Sequence, residues 1–278
     1  MSNVIAIAPI GIILRTDKNG FLVSQSASGY IKDLWKQAVN DITEAYKDIL
    51  GAQLHSIYIR GSLSRGTALE GASDIDAFGV IKEVLTDYQT AQLRQSKNVL
   101  EEKYPFCLKI EMEAKLLQPI ISGHNRIARI ILKISSACVY GYDLASDLPD
   151  VKPGPQSVIH SFAFSNFMRG KITEFNSDER TFSIAWCRSL TKRILRVGCE
   201  LVMEREQAFT RDLYPCYQLF SKYYPEKEAE MMRVLEFAIN PTPDYREIHQ
   251  LLADFSPWLI SEIQEVFGRE NGSPASAD

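Results

Sequence analysis

Ile59-Arg60-Gly61-Ser62-Leu63-Ser64-Arg65-Gly66, followed shortly by Ser73-Asp74-Ile75-Asp76, is the stretch that decides the fold of this chain. The flanking apolar runs predict one strand over Leu54 to Ile59 and a second over Asp74 to Ile81. Between them the sequence predicts a short helix from Ser62 to Leu69 and a turn at Gly71-Ala72-Ser73. Carboxylates at i and i+2 of a strand project from one face, so Asp74 and Asp76 form a pair of hard oxygen donors. Two carboxylates flanking a buried Ile75 are costly unless they meet a counter-charge or a metal.

Transfer of a phosphoryl group asks little covalent work of a protein; it asks that a triphosphate be neutralised and aligned. A carboxylate pair such as Asp74 and Asp76 can bridge two magnesium ions about 3.5–4 Å apart. Gly61 has no Cβ and lets the backbone come close to a phosphate. Ser62 adds a hydroxyl and, with its neighbours, backbone N–H groups that suit an anion. Arg65, one turn on, offers a charged fork to the terminal phosphates.

Gly-Ser, an Arg-Gly three residues on, and Asp-x-Asp about a dozen residues after the Gly-Ser together resemble the signature of the DNA polymerase beta superfamily of nucleotidyltransferases. The resemblance implies a small mixed sheet flanked by helices, two magnesium ions, and ATP or another nucleoside triphosphate as donor. It also implies that Gly61 and Ser62 contact phosphates, that Asp74 and Asp76 bind both metals, and that a third carboxylate stands on a neighbouring strand. Each motif alone is weak, since most Gly-Ser pairs are turns and most Asp-x-Asp pairs are solvated. Their combination in a strand–helix–strand setting is specific.

The third carboxylate is expected from Leu108-Lys109-Ile110-Glu111-Met112-Glu113, within a strand predicted over Cys107 to Lys115. Alternation puts Lys109, Glu111 and Glu113 on one face. Glu111 and Glu113 are both candidates for metal ligand or general base toward an acceptor hydroxyl, with Glu111 preferred. The plain alternative is a pair of surface glutamates.

Working outward, Asn19-Gly20 signals a hairpin between Ile5 to Leu14 and Phe21 to Val23. Apolar residues at helical spacing predict a helix over Tyr30 to Leu50, stopped by Gly51. Further helices are expected over Thr86 to Lys103 and Arg126 to Val139. Beyond the Pro/Gly-rich junction at 149–155 only helices are expected, at Gln156 to Phe175, Glu179 to Arg205, Leu213 to Tyr223, Lys227 to Phe237 and Tyr245 to Phe267. The fold class is thus α+β: a small mixed-sheet head over 1–148, an all-helical C-terminal domain over 149–270 that covers the substrates, and a disordered tail over 271–278.

Arg188, Lys192 and Arg196 recur at i, i+4, i+8 and make one face of the second body helix basic. Lys192 is the choice if one of them reaches a phosphate; a solvated face paired with Glu200 and Glu204 is the rival reading. Gly141-Tyr142-Asp143-Leu144 and Thr210-Arg211-Asp212-Leu213-Tyr214 loosely resemble segments of the small-molecule nucleotidyltransferases, including the aminoglycoside adenylyltransferases. That resemblance implies a small acceptor, with Glu174, Asp178, Glu204 and Asp212 available to line a cationic substrate's cleft.

The net charge of -4 offers no track for nucleic acid and argues against template-directed polymerisation. Five cysteines without a CxxC pair fit buried thiols in a reducing compartment, and the four histidines lack metal-ligand spacing. No signal peptide or membrane span is expected, which places the chain in the cytoplasm. The function expected is transfer of a nucleoside monophosphate, AMP from ATP, to a hydroxyl of a small acceptor. The alternatives are a protein acceptor, as in a protein-modifying or antitoxin-type transferase, and a nucleotide-sensing module whose catalysis has lapsed.

Overall fold

The computed structural model describes residues 4–177 and 183–268, in two compact units. One unit, the head, is the continuous segment Val23–Val151. The other combines Met1–Leu22 with Lys152–Asp278, so the N-terminal segment belongs to the helical unit and not to a head beginning at residue 1. Residues 271–278 lie outside the described residues.

In the head, helix α1 (Asp33–Leu50) precedes strands β2 (Leu54–Arg60) and β3 (Ile75–Ile81), helix α2 (Asp87–Lys103) and strand β4 (Ile110–Leu116). Helices α3 (Leu117–Ser122) and α4 (Arg126–Ser135) and strand β5 (Ser136–Gly141) complete it. The sheet order is β4-β3-β2-β5, with β3 and β4 parallel and the other neighbours antiparallel. One face packs against α1 and α2 through Ile57, Ile59, Ile75, Ala77 and Ile110. The other packs Tyr58, Phe78 and Val80 against Ile120, Ala128 and Leu132 of α3 and α4.

Ala38, Ile42 and Tyr46, at i, i+4 and i+8 of α1, are fully buried. Tyr46 lies on the strand where Gly79 leaves room, since a Cβ there would meet its ring at 3.2 Å. Its hydroxyl donates to the carbonyl of Glu113 at 2.7 Å. That bond ties α1 to β4 beneath the candidate site. Helix α2 starts at a capping box between Thr86 and Gln89, as its polar first turn suggests.

Two expectations for the head fail locally. The helix expected to run to Val139 stops at Ser135, and Ser136–Gly141 becomes the edge strand β5. Pairing with β2 overrides helical periodicity there, because β2 would otherwise leave its outer edge unpaired. The expected helix over Ser62 to Leu69 is one 3-10 turn, Leu63–Arg65, ended by Gly66 in the left-handed region at φ +70°.

The helical unit contains α5 (Phe164–Ser177), α6 (Ile184–Glu206), α7 (Leu213–Tyr223), α8 (Glu228–Ile239) and α9 (Tyr245–Phe267). The start expected at Gln156 is delayed by 3-10 turns at Pro155–Ser157 and Ser161–Ala163. Helix α6 runs through the core, with Leu190, Ile194, Leu195, Val197, Leu201 and Val202 buried. Gly198 lets its neighbours close on it: a Cβ would stand 2.5 Å from Met231 Cε and 2.9 Å from Phe220.

The unit is not purely helical, since β1 (Leu14–Arg15) pairs antiparallel with β6 (Ala208–Phe209). The Asp17-to-Gly20 turn forms as expected and closes on the Thr16–Leu22 bridge, but Ile5 to Ile13 take no regular strand. Thr210 Oγ1 donates to the Ile12 carbonyl, and Asp212 Oδ2 accepts from the Ile12 N–H. These bonds explain the allegiance of residues 1–22. No helix among the described residues is long and apolar enough to cross a membrane.

Candidate active site

The candidate site lies on the face of the head sheet that carries Tyr58 and Phe78, at the end where β2 runs into the Gly61-Ser62 turn. Gly61 adopts φ +78°, and a Cβ on it would stand 3.2 Å from Asp76 Oδ2. Backbone conformation and close approach therefore both call for glycine. Leu63 and Ser64 turn inward and are buried, and Ser64 Oγ donates to the Gly61 carbonyl at 3.0 Å and lies 3.0 Å from Ser26 Oγ. The Thr67 N–H closes back on the Ser62 carbonyl at 3.0 Å. The turn is thus pinned from within, with Ser62 and Arg65 half-buried at its surface.

Strand register assembles the charged groups. Arg60 on β2 pairs with Asp76 on β3, and Asp76 pairs with Glu111 on β4. Arg60 Nη2 lies 3.5 Å from Asp76 Oδ1 and 3.4 Å from Glu111 Oε2. Lys109 Nζ reaches the other oxygen of Glu111 at 2.6 Å. Asp74 sits just ahead of β3 and is exposed.

Glu113 is set one alternation further along β4, opposite Phe78, and pairs with Lys115 at 2.8 Å. It lines a cavity of about 210 Å³ together with Arg60, Phe78, Lys115, Asn125 and Ile127. Of the two glutamates the strand pattern offered, Glu111 is therefore the one beside Asp76.

The proton affinities of the two paired carboxylates are moved in opposite directions. Burial pushes the Asp76 carboxyl up to about 6; Arg60 opposes this, while Glu111 and Asp74 add to it. Glu111 is held below the usual carboxylate range, first by its hydrogen bond from Lys109. Neighbouring acids driven apart in this way can divide proton-holding and proton-accepting roles.

Among the described residues no group of three or more His, Cys, Asp or Glu side chains is arranged to hold a metal ion. Asp76 and Glu111 converge on the Arg60 guanidinium instead. Their donor chemistry, hard carboxylate oxygens with Asp74 beside them, is nevertheless what magnesium takes.

Lys192 stands on α6 in the helical unit and is half-buried. Its basic stripe is partly engaged within that unit. The Arg193 guanidinium lies 3.9 Å from the centre of the Phe167 ring, and Arg196 Nε donates to the Arg211 carbonyl at 3.4 Å. Glu200 is not on a solvated face as the rival reading had it. It is buried and accepts from the backbone N–H groups of Ile159, His160 and Ser161 and from the Ser161 hydroxyl. Of the acids considered for a cationic acceptor, Glu204 is exposed and Asp212 caps the N-terminal segment. Asp178 and the side chain of Glu174 lie outside the described residues.

Sequence reasoning passed over Arg60 and Lys109 as site residues. Arg60 immediately precedes the Gly-Ser, and Lys109 shares the alternation that singled out Glu111, so both signals were present.

Residues 39–133 match the family of nucleotidyltransferase domains, the stretch that holds the Gly61 turn, Asp76 and Glu111. The head is a nucleotidyltransferase domain, and the protein is an enzyme of that class. Among solved structures the chain is similar to the spectinomycin adenyltransferase of Enterococcus faecialis, crystallised with ATP and spectinomycin. The match has 18% identity and a TM-score of 0.50, over 82% of this chain and 99% of the other. At that identity the likeness speaks for the fold, which it extends beyond the head into the helical unit. No curated protein matches the sequence significantly.

Proposed function

We propose that this enzyme transfers a nucleoside monophosphate, AMP from ATP, to a hydroxyl of a small-molecule acceptor. The acceptor oxygen bonds to the α-phosphorus, the bond from that phosphorus to the α–β bridging oxygen breaks, and pyrophosphate leaves. The observation that carries the reading is the pairing of Asp76 with Glu111 on adjacent parallel strands, beside a Gly61 whose φ of +78° and close approach to Asp76 disfavour a side chain.

Asp74, Asp76 and Glu111 would hold two magnesium ions. When bound, these neutralise the triphosphate and stabilise the in-line displacement. The Gly61-Ser62 turn presents backbone and hydroxyl donors to phosphate oxygens, and Arg65 adds charge at the terminal phosphates. Glu111, paired with Lys109, completes one metal's shell or accepts the proton of the acceptor hydroxyl. ATP as donor and a small acceptor are supported by the structurally similar adenyltransferase, which was solved with ATP and spectinomycin.

The test is incubation with ATP, magnesium and pools of hydroxyl-bearing small molecules, reading pyrophosphate release and adenylylated product by mass spectrometry. Acceptor-dependent release that disappears in Asp76→Asn supports the proposal. Adenylylation of protein alone, with every small-molecule pool inert, would replace the small acceptor by a protein one.

A further inference from the structure

A single nitrogen, Nη2 of Arg60, lies between the Asp76 and Glu111 carboxylates, 3.5 Å from one and 3.4 Å from the other. All three groups are more than two-thirds covered, with side-chain exposures of 23%, 28% and 31% for Arg60, Asp76 and Glu111, so water screens them only in part. Two carboxylates so placed need positive charge, and the chain supplies its own: Arg60 shared between them and Lys109 on the other oxygen of Glu111. A cation shared by Asp76 and Glu111 would have to take the ground the guanidinium now holds.

The surroundings also give the guanidinium somewhere to go. Arg60 lines the cavity of about 210 Å³ that runs along the same sheet face, with Glu113 in its wall one alternation beyond Glu111. Glu113 is already bonded to Lys115, but a carboxylate has about four acceptor positions and can take a second cation.

We propose that Arg60 is the internal counter-ion of the Asp76–Glu111 pair. It competes with divalent cations for Asp76 and Glu111, and on loading it turns into the neighbouring cavity to pair with Glu113. The proposal rests on the nucleotidyltransferase reading above and adds a device to it. Arg60 is a positioning residue: it holds the two carboxylates together and makes them a poor site for bare metal. Metal then enters chiefly with the triphosphate, whose binding energy offsets the displacement of the arginine.

The test is titration of the full-length, nucleotide-free protein with Mn²⁺ by calorimetry, in wild type, Arg60→Gln, Arg60→Lys, Glu113→Gln and Arg60→Gln/Asp76→Asn. Removing a unit charge this close to both ligands is expected to tighten Mn²⁺ binding at least about tenfold in Arg60→Gln. Asp76→Asn should erase that gain. Glu113→Gln is expected to weaken Mn²⁺ binding while Arg60 is present. Should Arg60→Gln fail to fold, Arg60→Lys decides. Its shorter, compact charge is expected to hold the pair less well and to bind Mn²⁺ more tightly than wild type.

Equal or weaker Mn²⁺ binding in the Arg60 variants, alongside wild-type Mg–ATP binding that depends on Asp76, would overturn the counter-ion role and leave the enzymatic reading standing. Absence of any Asp76-dependent binding of Mn²⁺ or Mg–ATP in every variant would overturn both.

Discussion

Gly61 and Asp76 are built against each other: a Cβ on the glycine would stand 3.2 Å from Asp76 Oδ2, and the glycine's φ of +78° is one that L side chains rarely adopt. Gly61→Ala is therefore expected to cost about 1–2 kcal/mol of stability from the backbone conformation. It should also push the Asp76 carboxylate away from its place and reduce ATP affinity at least about tenfold. Urea unfolding and calorimetry on one sample separate the two effects. A variant with wild-type nucleotide affinity would show that the contact is not needed for binding.

Glu111 and Glu113 stand on one face of β4, but only Glu111 is opposite Asp76. Glu111→Gln is expected to lower kcat at least about a hundredfold, as loss of a general base does. Glu113→Gln is expected to cost less than about tenfold. Steady-state kinetics with the identified acceptor checks the ranking. The reverse order would move the catalytic role one alternation along the strand.

How much of this was legible in the sequence follows from the range over which each feature is decided. Strands β2 and β3 are set by residues close along the chain, and their apolar runs announced them; the segment after Ser62, expected as a helix, is one 3-10 turn. Helices α7 and α9 likewise declared themselves through their own periodicity. Strand β5 did not, because Ser136-Ala137-Cys138-Val139 continues the apolar spacing of α4 and becomes a strand only by pairing with β2. The N-terminal segment joins the helical unit through Leu14 opposite Phe209 and Ile12 against Thr210 and Asp212, pairings that no local pattern encodes. The role of Arg60 needed the register, since composition cannot say that one guanidinium faces two particular carboxylates.

His160 in the helical unit supplies a pH-dependent prediction. Burial, with Arg211, Arg196 and Arg193 nearby, lowers its imidazole to about 3. Between about pH 6.5 and pH 3 the unfolded chain binds a proton that the folded chain does not, so this histidine makes stability fall as pH falls through that window. His160→Gln is expected to recover about 1–3 kcal/mol at pH 4.5 relative to its effect at pH 8. Chemical denaturation of both proteins at the two pH values measures it. An identical difference at both would show that the imidazole is not kept neutral.

Glu200 organises the loop ahead of α5 by accepting from three consecutive backbone N–H groups, those of Ile159, His160 and Ser161. Glu200→Ala would leave the buried Ser161 N–H and the part-buried Ile159 and His160 N–H groups without this acceptor and is expected to destabilise the protein by about 3 kcal/mol. Glu200→Gln keeps an acceptor oxygen and should cost less. Thermal melts of the two variants give the ordering, and equal losses would show that packing, not hydrogen bonding, is what Glu200 provides.

Asp74 and Asp76 are proposed to form a metal-dependent nucleotide site, and calorimetric titration of ATP, GTP, CTP and UTP with magnesium tests it. It is made on the wild type and on Asp74→Asn/Asp76→Asn. The expected result is binding of ATP that requires magnesium and is lost or weakened at least about a hundredfold in the double variant. Failure of a folded wild-type sample to bind any triphosphate, or equal binding by the double variant, would contradict it.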